Sequence, residues 1–181
     1  NIGSGHDDKL IFNRRFILKD GRTYTHPGRM NPDIVEAAGP IDPEIGVIGA
    51  WREDGTLIGC LVNYSCHGTT YSGAMAHGDW YHYCEETLQK IFGKESAVVM
   101  LNGACGDITQ VNNQSWKKDS GIEASYQLGL RVGAETAKVL ACEEKYAYKS
   151  LAGHSEKISI ARRVPNPESV TEAWKIIEKN A

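Results

Sequence analysis

Imidazole and carboxylate side chains gather in two segments of this sequence, and each segment directly follows a short apolar run. The residues concerned are His67, His77, Asp79 and Asp107. Two imidazoles and two carboxylates are enough donors to hold a catalytic zinc ion that keeps one coordination position open. By residue type alone, the sequence therefore allows a catalytic metal site.

Each of these residues also has a purely structural explanation. Asp79 is an effective N-cap for the helix predicted directly after it, and for this residue that explanation is the stronger one. His77 lies in a loop rich in Gly and Ala and is expected at the surface. A single histidine such as His67 is more often a hydrogen-bonded structural residue than a ligand. Gly103 and Gly106 either form a nest of backbone N–H groups for an anion or only make a tight turn.

The five cysteines indicate neither a zinc ribbon nor a redox motif, because no CxxC pair occurs. Three of them fall within predicted strands or helices and are expected to be buried: Cys60, Cys84 and Cys142. Cys66 and Cys105 fall in loops beside the candidate residues. Because Cys66 and His67 are adjacent along a strand, their side chains point apart and cannot pair as nucleophile and base. We therefore do not expect cysteine catalysis.

The candidate residues are placed by alternating strand and helix patterns. The predicted elements are a hairpin of strands 45–51 and 57–65, a helix over 80–92, a strand over 97–101 and a helix over 122–141. His67 follows one of these strands and Asp107 follows another, so we expect both loops at the same edge of the sheet. The alternation predicts an α/β fold, with a mixed β-sheet and packed helices in a single domain.

For two of the predicted elements, the sequence also predicts which residues are buried. The strand 97–101 (AVVML) is continuously apolar, which predicts a central strand with Val98 and Leu101 inside. In the helix 80–92 one face is expected to be buried, and its members are Trp80, Cys84, Leu88 and Ile91.

The two ends of the chain show different patterns. The first forty residues are rich in Pro, Gly and Asp and are predicted mainly as loops. Near the other end, Ile158 and Ile160 alternate with polar neighbours and predict a strand. The pair Asn166-Pro167 predicts the start of a last helix.

Composition excludes several classes of partner. The formal net charge of -3 argues against nucleic acid, because phosphate binding needs clustered Lys and Arg. No apolar run reaches the length of a membrane span, so no transmembrane segment is expected. The chain starts at Asn1 without Met or a signal-type segment, which leads us to expect a processed protein or an excised fragment.

Four segments, taken in their order and spacing, resemble the neutral/alkaline (non-lysosomal) ceramidase family, and more closely its bacterial ceramidase-like relatives. They are FNRRF (12–16), NPDIVEAAGPIDPEIGV (31–47), LVNYSCHGTT (61–70) and LNGACGDITQVN (101–112). The resemblance implies a zinc-dependent amidohydrolase with a mixed α/β catalytic domain, acting on the amide of an N-acyl sphingoid base or a similar lipid amide. It also implies that residues 1–181 are a partial catalytic domain, without its upstream and downstream parts.

The resemblance assigns roles to six residues. His67 matches a zinc ligand, and Arg14 matches an active-site arginine near the substrate. Thr109 stands where the family has the serine of a GDVSPN-like motif, which is either the nucleophile or a residue that orients a zinc-activated water; we favour the water. The remaining three are expected to bind substrate: Asn13, Asp107 and Asn102.

The sequence departs from the family pattern at several points. Gly68 replaces the usual Pro after the ligand histidine, and Thr109-Gln110 replaces Ser-Pro. A second histidine from an upstream motif, and a glutamate and a tyrosine from downstream, complete the family's zinc site, so this chain holds one ligand of about four. We therefore expect the chain alone to bind zinc weakly or not at all and to be inactive.

The sequence is also compatible with two other functions. One is a metal-dependent hydrolase of another amide or ester, and another is a non-catalytic module that binds a carbohydrate, a lipid or a protein partner. Like many members of the family, the whole protein is expected to be secreted or extracytoplasmic.

Overall fold

A computed structural model describes residues 1–142, 144–147, 150 and 152–180. The chain divides into two compact units, Asn1–Tyr146 and Ala147–Ala181. The strands are β1 (Ile2–His6), β2 (Phe12–Asn13), β3 (Arg15–Leu18), β4 (Thr23–Thr25), β5 (Ile34–Ala37), β6 (Glu44–Trp51), β7 (Leu57–Tyr64), β8 (Ala97–Asn102) and β9 (Ile108–Thr109). The helices are α1 (Asp79–Phe92), α2 (Ile122–Cys142) and α3 (Pro167–Lys179). The predicted α/β class is confirmed.

The main sheet has four strands in the order β1-β6-β7-β8. β6 and β7 form the predicted hairpin, with Val47 opposite Val62. β1 lies antiparallel beside β6. β8 is parallel to β7, and the connection between them runs through α1, as a parallel pair requires a crossover. This β7–α1–β8 unit determines where the loops that follow the two strands leave the sheet.

One face of the main sheet is covered by α1 and α2, which pack against each other. Alternate residues of β6 and β7 point inward and meet apolar residues of the two helices, so that a single core forms. Its fully buried members include Ile45, Val62, Tyr64, Trp80, Leu88, Leu128 and Val132. At the helix–helix contact, a Cβ on Gly129 would lie 2.4 Å from the Trp80 carbonyl oxygen. Only glycine therefore lets the two helices approach this closely.

The amino-terminal region contains more strand than the sequence predicts. β3 lies between β4 and β5 in a three-stranded sheet, and β2 pairs with the distant β9. The prediction of mainly loops for the first forty residues is wrong because these strands are short and only partly buried. They have five residues or fewer, and strands of this length show too little alternation to be recognised.

The placement of β8 differs from the prediction of a central strand. β8 is the last strand of its sheet, Val98 is only partly buried, and Leu101 is 46% exposed. The helices cover one face of the sheet, whereas on the other face the register partners Ile48, Leu61 and Val99 are all exposed. A continuously apolar run therefore marks an edge strand here, and the expectation that Leu101 is buried is wrong.

Several smaller expectations are also settled. Ile158 and Ile160 are highly exposed and lie outside any regular strand, so the strand predicted there is wrong. Ile91 and Cys142 are exposed rather than buried, because each lies in the last turn of its helix. In the second unit, Asn166 caps α3 by accepting a hydrogen bond from the Ser169 amide, as the Asn-Pro pair predicts.

In the ranges that the structure describes, no helix combines the length and the apolar character that crossing a membrane requires.

We expect Leu88→Ala to lower the free energy of unfolding by about 2–5 kcal/mol, because it empties a fully buried position. Leu101→Ala is the matched control on the exposed side of the sheet and should cost less than about 1 kcal/mol. Urea denaturation of both variants measures the difference. Equal losses would mean that Leu101 is buried in solution and would contradict the edge position of β8.

Candidate functional site

The candidate site begins where β7 and β8 end. These strands are parallel, and their last register partners are Tyr64 and Asn102. The segments that follow, residues 65–70 and 103–110, therefore leave the sheet at the same edge. The prediction that the His67 loop and the Asp107 loop lie at the same edge of the sheet is confirmed.

His67 lies directly against the second of these loops. Its Nδ1 is 3.6 Å from the sulfur of Cys105, and its carbonyl oxygen accepts a hydrogen bond from the indole of Trp80 at 3.0 Å. Burial lowers the pKa of His67, and the positive charge of Arg14 lowers it further. Both effects favour the neutral imidazole, which is the form that binds metal ions.

Arg14 reaches the same loop from the amino-terminal region, between β2 and β3. Its amide donates to the carbonyl oxygen of Asp107 at 2.7 Å, and its Nη2 donates to the carbonyl oxygen of Gly106 at 2.7 Å. Its Nε is buried and finds no hydrogen-bond partner among the described residues. The guanidinium is thus held beside the loop that contacts His67, and its buried Nε–H is not satisfied by any described residue.

The three residues expected to bind substrate occupy different environments. Asn13 is buried, and its amide donates to an Asp107 carboxylate oxygen at 2.9 Å and to the carbonyl oxygen of Pro40 at 3.2 Å. Asn102 is exposed, and its side-chain oxygen accepts from the Tyr81 hydroxyl at 2.8 Å. Asn13 is therefore a buried residue that holds the carboxylate of Asp107. Asp107 is partly buried and Asn102 is exposed, so both lie nearer the surface than Asn13. Their contacts with substrate stay a prediction.

Thr109 is buried and its hydroxyl donates to the side-chain oxygen of Gln110 at 3.1 Å. The same Gln110 amide donates from its nitrogen to the carbonyl oxygen of Thr69 at 3.0 Å. Gln110 thus connects the Thr109 segment to the His67 loop. A hydroxyl nucleophile needs an adjacent base, and an amide oxygen is not one. These contacts thus supply no base to the Thr109 hydroxyl, and its role in catalysis stays a prediction.

Asp79 does not have the role that the sequence predicts for it. The cap position of α1 is Gly78, which has no side chain to bond, and Asp79 is the first helical residue. The buried carboxylate of Asp79 accepts from the adjacent Trp80 amide at 2.7 Å, and also from the Thr70 hydroxyl at 2.5 Å and the Tyr71 amide at 2.9 Å. The N-cap prediction is wrong because the carboxylate turns back toward the loop after β7 and fixes that loop to α1.

His77 packs against the same residues, Asp79 and Tyr71. Its Nδ1 accepts a hydrogen bond from the Asp79 amide at 2.9 Å, and its ring stacks on Tyr71 with centroids 4.5 Å apart. It is therefore partly buried and held in place rather than a free surface residue.

The four side chains that sequence alone offers for zinc are not assembled into one local site. In the part of the chain that the structure describes, no three side chains of His, Cys, Asp or Glu lie close enough to hold a metal ion together. His67 by itself fits the chemistry of one ligand, being neutral and only partly buried. The described residues thus do not assemble a complete set of metal ligands, and a ligand role of His67 stays a prediction.

Sequence reasoning missed two residues of this region. Cys105 is separated from His67 by 38 positions, and the pairing becomes visible only once β7 and β8 are known to be parallel neighbours. Tyr81 lies over Gly68, where an added Cβ would be 2.3 Å from the ring. This close approach favours glycine at position 68. Cys66 is buried, and burial raises the pKa of its thiol.

We expect the pKa of His67 in the metal-free chain to lie below the ordinary histidine value. Arg14→Gln should raise this pKa, because a positive charge is removed, but should leave it below the ordinary value, because burial is the larger cause. NMR titration of the imidazole signals measures this.

Two matched variants test the cause of that shift. Arg14→Lys keeps the charge and should change the pKa little, and Arg15→Gln removes an exposed charge on β3 and should leave it unchanged. A pKa of His67 at or above the ordinary value in the unsubstituted chain would contradict the described environment.

Among the comparisons with known proteins, only the one with solved structures finds a likeness, and this likeness concerns the fold. No protein-family model matches the chain, and no curated protein matches it. Among solved structures, one described as ceramidase complexed with C2 is similar at a TM-score of 0.59 with 20% identity, over 78% of this chain and 22% of that one. The neutral ceramidase from Pseudomonas aeruginosa is similar at a TM-score of 0.56 with 21% identity, over the same shares. The chain therefore spans about a fifth of the length of these ceramidases and has the fold of that part of them.

Proposed function

We propose that the chain is part of a zinc-dependent amidohydrolase that hydrolyses the amide of an N-acyl sphingoid base or a similar lipid amide. The observation that supports this most is the meeting of Arg14, His67 and the loop 103–110 at one sheet edge, although the three are far apart in sequence. The ceramidase-like fold supports the same assignment, since the motifs that resemble the family fall on these segments.

His67 is the residue of this chain that would hold the zinc ion. Its imidazole is kept neutral by burial and by the Arg14 charge, and a neutral imidazole offers the lone pair that a metal needs. When bound, zinc supplies a Lewis acid for the amide carbonyl and lowers the pKa of a water molecule.

Arg14 would stabilise negative charge on the substrate. Its guanidinium is already fixed by the Gly106 carbonyl oxygen, and its Nε still has no partner among the described residues. A cation held in place stabilises the oxygen that becomes negative as an amide carbonyl is attacked, without reorganising at that moment. Arg14 therefore has the role of an electrostatic stabiliser.

Thr109, Asp107 and Asn102 would shape the place where substrate and water lie. The Thr109 hydroxyl is held by Gln110 and fixes the loop on which Asp107 lies. The Asp107 carboxylate accepts from Asn13 and can also accept from a hydroxyl or amide of the substrate. Asn102 offers an exposed side-chain amide at the end of β8. Polar groups on a rigid strand end are well suited to orient a substrate.

In the protein that contains this chain, His67→Ala should reduce both zinc content and turnover of N-acyl sphingosine by more than about tenfold, because loss of even an outer partner of a ligand costs about that much. Elemental analysis and an amide-hydrolysis assay measure the two quantities. His6→Ala, on the exposed end of β1, is the matched control and should change neither.

Unchanged zinc and turnover in His67→Ala would refute the proposal. A comparison of N-acyl sphingosines with simpler amides and esters tests the substrate: preference for the simpler compounds would refute the lipid amide and favour a hydrolase of another amide or ester.

The contacts of Thr109 lead to a separate expectation. Thr109→Ser should keep most of the activity and Thr109→Ala should keep a measurable remainder, because the hydroxyl orients rather than attacks. Mass spectrometry of the protein during turnover should find no acyl group on Thr109. An acyl–Thr109 adduct, together with complete loss of activity in Thr109→Ala, would identify a nucleophile instead.

A further inference from the structure

The two ring nitrogens of His67 have different surroundings. Among the described residues only Nδ1 has a hydrogen-bond partner, and this partner is the sulfur of Cys105 at 3.6 Å. The ring is partly buried but not enclosed. Nε2 is therefore the nitrogen that is available to a ligand.

Two backbone hydrogen bonds hold the loop that carries the sulfur. The Gly103 amide donates to the carbonyl oxygen of Tyr64 at 3.1 Å, which attaches the start of the segment 103–108 to the end of β7. The Cys105 carbonyl oxygen accepts from the Ile108 amide at 3.0 Å, which closes a turn within the segment. Cys105 itself is partly buried.

A histidine that binds a metal almost always donates its other ring N–H to a carboxylate, a carbonyl oxygen or water. That second bond selects the tautomer and fixes the plane of the ring. At His67 a cysteine sulfur occupies this place, and sulfur is a weak acceptor as well as a weak donor.

We infer that Cys105 is a positioning residue for His67, whose Nδ1–H donates to the Cys105 sulfur so that the lone pair of Nε2 is left for the metal ion. The inference rests on the proposed function, because it assigns the role of Cys105 from the metal that His67 would hold. The opposite arrangement, with the thiol donating to Nδ1, puts the proton on Nε2 and blocks that nitrogen.

The tautomer can be read directly in the metal-free chain by long-range ¹H–¹⁵N NMR of the His67 ring. We expect the proton on Nδ1 in the unsubstituted chain and in Cys105→Ser, since a hydroxyl also accepts. In Cys105→Ala the proton should move largely to Nε2, the form that predominates in unconstrained histidine. Cys142→Ala, which removes an exposed thiol, is the matched control and should leave the tautomer unchanged.

A proton on Nε2 in the unsubstituted chain, or an unchanged tautomer in Cys105→Ala, overturns the inference. Cys105→Ser separates a folding defect from the loss of the acceptor, because it restores the bond with a side chain of nearly the same size.

The second readout is zinc affinity in the protein that contains this chain. Cys105→Ala should raise the dissociation constant for zinc about 10–100-fold, as expected when a ligand loses its outer hydrogen bond. If the unsubstituted protein binds no zinc, the proposed function fails, whereas the NMR result still decides the pairing of His67 with Cys105.

Two further outcomes would replace the positioning role with another. A thiolate-to-cobalt charge-transfer band in the cobalt-substituted protein that disappears in Cys105→Ser would make Cys105 a metal ligand. An acyl group on Cys105 during turnover would make it a nucleophile. Either result overturns the inference.

Discussion

The parallel pairing of β7 with β8 is the constraint on which the candidate site depends. Because the register ends with Tyr64 opposite Asn102, the next residues of both strands must emerge side by side. A one-residue slip would turn every side chain of β8 to the other face of the sheet. It would also carry the Cys105 loop away from His67, so the crossover through α1 and the register together bring these residues within reach.

Polar contacts then hold the emerging loops in one arrangement. The Asp79 carboxylate fixes the His67 loop to the start of α1, and Gln110 joins that loop to the Thr109 segment. From the other side, Asn13 and Arg14 attach to Asp107 and its neighbour. The buried bond between Thr70 and Asp79 satisfies polar groups that would otherwise be left unpaired at a cost in stability. These loops are thus ordered by folding itself, before any ligand is bound.

The sequence predicts those features that depend on local patterns. The β6–β7 hairpin and the helices α1 and α2 follow from alternation, periodicity and turn residues, and the position of His67 after a strand follows from them. The predictions are wrong where contacts with distant parts of the chain determine the local structure. The apolar run of β8 does not tell whether a further strand covers it, and the short strands β2 and β9 depend on each other across the chain. Asp79 has an ideal local position for a cap, yet a loop hydroxyl and amide compete for its carboxylate.

The central claim is that the sheet edge beyond β7 and β8 carries a metal-dependent hydrolytic site to which His67 contributes a ligand. Anomalous X-ray scattering at the zinc absorption edge, from crystals of the protein that contains this chain, tests it most directly. The account predicts a zinc peak about 2.0–2.1 Å from Nε2 of His67, with Arg14 and the loop 103–110 around it. A zinc-loaded protein whose metal lies elsewhere, with His67 unligated, would contradict it.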